Sequence, residues 1–227
     1  MRVYKEKDIE IPHDLNLTEL LHRSAGNVPI PESHLIATDN LTNRSLTIGE
    51  LRNRAGRIAN GFHKSLSPSQ GDRWALIVPN CVEYIECSHA VLWVGGVCCP
   101  INHALKVSET SHALLVSRPK YIIAYGEVVQ TIIQAIKLAR DSLAEKAGDW
   151  PEPKLVTVVQ KVRGIKHVPD DFLEDEKLPI PHYHNSPGPP SGASSSVLSI
   201  FSIAEMLGRR CPVAPSSYVS PSLWYAT

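Results

Sequence analysis

Neither sign of charge is in excess in this sequence. Its 23 lysines and arginines match 23 aspartates and glutamates, for a formal net charge of zero. Without a basic surplus, nucleic acid and anionic membranes are excluded as main partners. Zero net charge also gives little colloidal protection. No apolar run approaches the roughly 20 residues that span a bilayer. The longest lies around residues 90–101. The charged start, Met1-Arg2-Val3-Tyr4-Lys5-Glu6-Lys7-Asp8, lacks the apolar centre of a secretory signal. Tyr225-Ala226-Thr227 is not a peroxisomal address of the Ser-Lys-Leu type. The five cysteines, Cys81, Cys87, Cys98, Cys99 and Cys211, are odd in number and never spaced Cys-x-x-Cys, so zinc and dithiol patterns are not met. Reduced, buried thiols in a cytoplasmic protein are expected.

What is present reads as a folded α/β chain. Hydrophobic residues make up 43% and charged residues 20% of the 227, a globular balance that allows one large domain or two small ones. After an extended arm, residues 14–21 form a short helix with Asp14 or Asn16 as N-cap. Residues 34–38 and 45–47 are strands joined by a polar turn. Thr47-Ile48-Gly49-Glu50 fits a capping box. The helix it opens places Leu51, Ala55, Ile58, Ala59 and Phe62 on one face. Arg52, Arg54, Arg57 and Lys64 fall largely outside that stripe and are expected to be solvated.

Trp74-Ala75-Leu76-Ile77-Val78 reads as a strand buried on both faces. A mostly apolar helix over residues 81–94 follows, closed by Gly95-Gly96. Residues 97–102 form the next buried strand, 108–117 a short helix and 121–124 a strand. Residues 127–146 form the longest helix, with Val129, Ile132, Ile133, Ile136, Ala139 and Leu143 on one face. Residues 155–159 are one more strand. This alternation predicts a largely parallel sheet flanked by helices. The composition divides the chain into 1–165, the α/β unit, 166–197, an acidic and then Pro/Gly/Ser-rich loop, and 198–227, with a weak helix over 199–207 and a strand over 218–225.

Four segments in order resemble the N-terminal portion of adenylate-forming acyl-CoA ligases, the 4-coumarate and fatty acyl-CoA ligase family. Ser45-Leu46-Thr47-Ile48-Gly49-Glu50-Leu51 is similar to that family's Leu-Thr-Tyr-x-Glu-Leu element, with Ile48 in place of the usual Tyr. Residues 75–84, with Pro79-Asn80 and Glu83, resemble its strand and Glu-x helix. Residues 92–102 resemble its Gly-Gly/Ala-x-x-x-Pro-Ile/Leu-Asn element, with Cys98-Cys99 replacing a small or aromatic pair. Residues 108–124 resemble the helix and strand after it.

The resemblance implies an incomplete N-terminal α/β subdomain, truncated just before the ATP phosphate loop. Complete members use ATP, Mg²⁺ and coenzyme A to convert a carboxylic acid to its CoA thioester through an acyl-adenylate. None of the family's catalytic or nucleotide-binding residues has a counterpart here, so this chain is expected to be inactive by itself and to bind no cofactor. A full-length relative, or the missing remainder of the enzyme, is the partner implied. The alternative is a non-catalytic interaction protein, or a decayed gene product, pairing with such a relative. Missing later strands would leave open edges and exposed apolar faces, so marginal stability or aggregation is expected.

Gly95-Gly96 lacks a following Lys-Ser/Thr and leads into a strand, so it is read as a helix end rather than a phosphate cradle. His182 and His184 have a spacing that could meet a metal, but no third ligand is close in sequence. His89, His103 and His112 are scattered. Cys98 or Cys99 as a nucleophile would need a base and an exposed setting. Glu174-Asp175-Glu176 is read as a solvated loop, and residues 127–146 as a helix packed on the sheet rather than on a membrane. Asn80 and Asn102 sit at strand ends, where α/β proteins bind ligands, with turn roles as the default. No catalytic, cofactor or metal residue is assigned.

Overall fold

Two periodicities, apolar runs and amphipathic stripes, alternate along residues 17–22, 30–41, 43–144 and 150–180, which the computed structural model describes. The elements are α1 (Leu17–His22), β1 (Leu35–Thr38), β2 (Ser45–Thr47), α2 (Ile48–Leu66), β3 (Arg73–Ile77), α3 (Val82–Trp93) and β4 (Val97–Pro100). Then come α4 (Val107–Ser117), β5 (Tyr121–Tyr125), a 3-10 turn (Gly126–Val128), α5 (Val129–Ala144), β6 (Lys154–Val158), β7 (Lys166–His167) and α6 (Val168–Asp171). The predicted N-caps Asp14 and Asn16 lie outside the described residues, as do residues 181–227.

Strands β4-β3-β5-β6-β7 form one sheet in that order, every pair parallel. β1 and β2 form a separate antiparallel hairpin. Along β3, Trp74 and Leu76 enter the core under α2 and α3, while Ala75 and Ile77 enter the core under α4 and α5. Burial on both faces explains why this strand reads as an unbroken apolar run. Among the described residues both faces of β3 and β5 are covered. The outer sides of β4 and β7 have no strand partner among the described residues.

The capping box forms as expected. The Glu50 amide donates to Thr47 Oγ1 at 3.2 Å, and the Thr47 amide donates to Glu50 Oε2 at 2.8 Å. Leu51, Ala55, Ile58, Ala59 and Phe62 are all buried. The arginines of α2 depart from expectation. Arg52 is 9% exposed, donates to the Leu21 carbonyl at 2.9 Å and pairs with Glu32. Arg54 pairs with Glu86 at 2.6 Å, and Arg57 donates to the Glu174 carbonyl. Their long side chains reach around the helix to acceptors on neighbouring segments, so they bridge elements rather than face water. Lys64 is exposed and pairs with Glu174 at 2.7 Å.

On α5 the apolar face is Val129, Ile132, Ala135, Ile136, Ala139 and Leu143. Ile133 turns outward, 43% exposed. A 3-10 turn over Gly126–Val128 takes the first two residues of the predicted helix, so α5 has 16 residues and α2, with 19, is longer.

Packing continues past residue 165. β7 pairs with β6, Phe172 is fully buried, and the Leu178 amide donates to the Gly56 carbonyl at 3.0 Å. At Gly61 an added Cβ would lie 2.1 Å from the Phe172 carbonyl oxygen. That backbone has nowhere to move without unseating the Phe172 ring, which packs 5.3 Å from Phe62. Gly61→Ala is therefore expected to destabilise the protein by about 2 kcal/mol or more, read as a lowered urea midpoint. An unchanged midpoint would show that residues 172–180 are not tightly seated on α2.

The cap predicts a pH effect. Hydrogen bonds from the Thr47 amide first, and its hydroxyl second, hold the Glu50 carboxyl below its ordinary value. A depressed carboxyl stabilises the fold above its unfolded-state value of about 4.3, and that contribution is lost as pH falls through the lower folded-state value. The stability gap between the unmodified chain and Glu50→Gln should be present at neutral pH and close as pH falls below the ordinary carboxyl range. A gap that does not change with pH would refute this role of the charge.

Candidate functional site

Parallel α/β sheets bind ligands at the carboxyl ends of their strands. Here that edge is formed by Asn80, after β3, and Asn102, after β4. Asn102 is exposed, and its Oδ1 accepts from the Ala104 amide at 2.9 Å, an Asx turn. Asn80 is exposed and lies at a cleft of about 680 Å³ between the β1–β2 hairpin and α3. Cys81, Tyr84, Ile85, Ser88 and His89 line its helix side, and Ile36 to Asp39 the hairpin side. Positions 81, 84, 85 and 88 recur at helical spacing, so one stripe of α3 forms that wall.

A buried charge cluster holds the hairpin in place. Arg44 reaches Glu83 Oε1 at 2.5 Å and Glu86 Oε1 at 2.8 Å, and Arg54 of α2 shares Glu86. The Glu86 side chain is only 2% exposed, so its charge depends on both guanidiniums. Burial opposes the Arg44 charge, yet Glu86 and Glu83 outweigh it and hold its pKa above the ordinary value. Cys81, the N-cap of α3, makes no side-chain capping bond. Asp39 Oδ2 supplies one by accepting from the Val82 amide at 2.8 Å. Sequence reading missed this cluster, having taken α3 as apolar on most sides. The available signal was Glu83 and Glu86, three apart on one face of an otherwise apolar helix.

The other candidates do not converge. Gly95 has φ +74°, and its amide donates to the Leu92 carbonyl at 3.0 Å, as a helix C-cap does. The Gly96 amide donates to Val91 at 2.9 Å, so both amides are already used. A Cβ at Gly96 would stand 2.7 Å from the Trp74 indole, so this glycine admits the ring rather than a phosphate. His89 is half-buried in the cleft, where burial first and His22 second hold its imidazole down at about 4. It is neutral at pH 7. His103 packs edge-on against Tyr125 at 6.2 Å, and His112 is exposed on α4. His182 and His184 lie outside the described residues.

Burial pushes the thiols of Cys81 and Cys98 up to about 12 and also raises those of Cys87 and Cys99. All four are free and stay protonated at neutral pH, the inert form of a cysteine. Glu174 is tied to Lys64, and the Glu176 carbonyl accepts from Asn60 at 2.9 Å, so this acidic stretch straps α2. Among the described residues no group of three His, Cys, Asp or Glu could hold a metal. Nor is any described helix long and apolar enough to cross a membrane.

Known proteins are similar to parts of this chain. Feruloyl-CoA synthase from an Amycolatopsis species is 36% identical over 88 residues, which are 39% of this chain and 18% of that protein. The long-chain-fatty-acid–CoA ligase FadD13 of Mycobacterium tuberculosis is 33% identical over 100 residues, 44% of this chain and 20% of that protein. The chain thus spans about a fifth of the length of these relatives. The luciferase-like enzyme of the nonluminescent mealworm Zophobas morio superposes with a TM-score of 0.63 at 16% identity. That superposition covers 78% of this chain and 39% of the mealworm protein, a likeness of fold. The family model described as AMP-binding enzyme matches residues 24–199, and by that match, over most of its 227 residues, the chain belongs to this family.

Proposed function

We propose that this chain supplies the N-terminal α/β subdomain of an AMP-forming acyl- or aryl-CoA ligase. In that reaction a carboxylate displaces pyrophosphate from ATP, and the thiol of coenzyme A then displaces AMP from the acyl-adenylate. The observation that carries the reading is the family match across residues 24–199, supported by relatives named as CoA ligases. The Gly95–Gly96 turn does not fit a phosphate. The Gly95 and Gly96 amides are occupied, and no Lys or Ser/Thr follows them as a phosphate loop requires. Their role is architectural: the sheet and the clamped hairpin form a rigid base for nucleotide-binding segments elsewhere. The free thiols fit a reducing, cytoplasmic compartment.

A second reading, a non-catalytic protein that pairs with a full-length relative, is favoured by the mostly apolar cleft along α3, where Ile36 is 39% exposed. Exchange of labelled pyrophosphate into ATP, dependent on a carboxylate, separates the readings. The 227-residue polypeptide alone is expected to show background exchange only, and exchange above background would overturn the architectural role. Native protein captured from its source with an antibody to residues 1–30 should be larger than 25.0 kDa and exchange-competent. A 25.0 kDa species that co-purifies with a full-length ligase would instead support the second reading.

A further inference from the structure

We propose that the amino-terminal edge of the sheet, opposite Asn80 and Asn102, carries a pocket for a small ligand bearing a phosphate or carboxylate group, held by Arg73 and Arg118. This does not rest on the ligase reading. The Lys120 amide donates to the Arg73 carbonyl at 2.9 Å, which sets the entries of β5 and β3 abreast, about 4.8 Å apart. Arg118, at the end of α4, stands two residues before Lys120. Together with Gly71, Asp72 and the segment from Trp150 to Glu152, these residues line a cleft of about 340 Å³.

The charges of that cleft do not balance internally. Asp72 is taken by Lys120 at 2.7 Å, and Glu152 by Arg140 at 3.0 Å. Lys154, next along the edge, lies 6.0 Å from the Tyr121 ring centroid and does not line the cleft. The guanidiniums of Arg73 and Arg118 are left without a carboxylate among the described residues. Arg118 makes one long bond, from Nε to the Leu115 carbonyl at 3.4 Å. Two exposed cations on one concave wall are open to an anion. A planar guanidinium fork matches the oxygens of phosphate or carboxylate.

Backbone conformation adds an independent observation. Arg118 has φ +42°, a left-handed helix cap that favours glycine, so an arginine there is held at a conformational cost. At Gly71 an added Cβ would meet nothing within 4 Å, so the mouth is open. Asp72 and Glu152 also line the concavity, each paired with a cation, so it suits a small anion. A flat anionic surface would meet those carboxylates.

Calorimetric titration of the full chain at low salt tests the site, with inorganic phosphate in one arm and citrate in the other. Saturable one-to-one binding is expected in at least one arm, and the arm that binds identifies the chemistry as phosphate or carboxylate. Arg118→Gly should weaken it about ten-fold or more, as loss of a charge-assisted hydrogen bond does. The same variant should keep or raise the thermal midpoint, because glycine suits the cap, so lost binding could not be attributed to unfolding. Arg73→Gln should weaken the same arm comparably. No saturable heat in either arm, or unchanged affinity in Arg118→Gly, would overturn the proposal. Neither result bears on pyrophosphate exchange, which tests the ligase reading separately.

Discussion

Trp74 is the side chain around which the other elements are set. It is fully buried on β3, at the middle of one core. Its ring stacks on Tyr121 of β5 at 4.2 Å and lies 4.9 Å from Phe62 of α2, which in turn meets Phe172. On the other side Gly96 leaves room for the indole where β4 begins. Three other elements, β5, α2 and the start of β4, therefore meet at one ring. The indole N–H has no acceptor among the described residues. That costs about 1–3 kcal/mol, while two aromatic contacts contribute about 0.5–1.5 kcal/mol each beyond their area burial. Burial of so large a side chain adds to this, so packing outweighs the lost hydrogen bond.

From that centre outward, polar interactions decide position rather than stability. The β1–β2 hairpin reaches the core through Leu46, which is fully buried, while Leu35 is 56% exposed. Its place over α3 is set by Arg44 and Asp39, which engage Glu83, Glu86 and the Val82 amide. A buried ion pair is weak support for stability, but losing one partner leaves an uncompensated charge, which makes the arrangement selective. The cleft along α3 exists because this clamp fixes one wall to the other.

Much of the fold was legible in the sequence because its signals are local. The capping box at Thr47 and Glu50, the double-faced run at residues 74–78 and the alternation of helix and strand each follow from spacing alone. What was not legible depends on distance in three dimensions. Arg52, Arg54 and Arg57 fall outside an apolar stripe, and nothing in their spacing says that Glu32, Glu86 and Glu174 wait beside them. Ile133 and Ala135 exchange places because a face drawn from residue type ranks isoleucine first, whereas the helix turns at its own period. The stretch at 170–176 reads as an acidic loop, yet Phe172 anchors it under the sheet. At the candidate site, Asn80 was found by its place after a strand, whereas the Glu83–Glu86 pair facing Arg44 was not.

Backbone strain, which composition does not reveal, sits at both ends of the sheet. At the amino end it is Arg118. At the carboxyl end it is Val159, a β-branched residue with φ +64° directly after β6. There the Gln160 amide folds back to the Val158 carbonyl at 2.7 Å, and Gln160 presses on Gly126, where a Cβ would lie 2.5 Å from its carbonyl oxygen. The Gln160 side chain then donates to Glu127 at 2.7 Å, tying the turn after β6 to the turn after β5. A β-branched residue in the left-handed region persists only where its surroundings over-determine it. Here they do, because Val159 packs against the Trp74 core while its neighbour is pinned to Glu127. Rigidity at the carboxyl edge is thus inherited from the core.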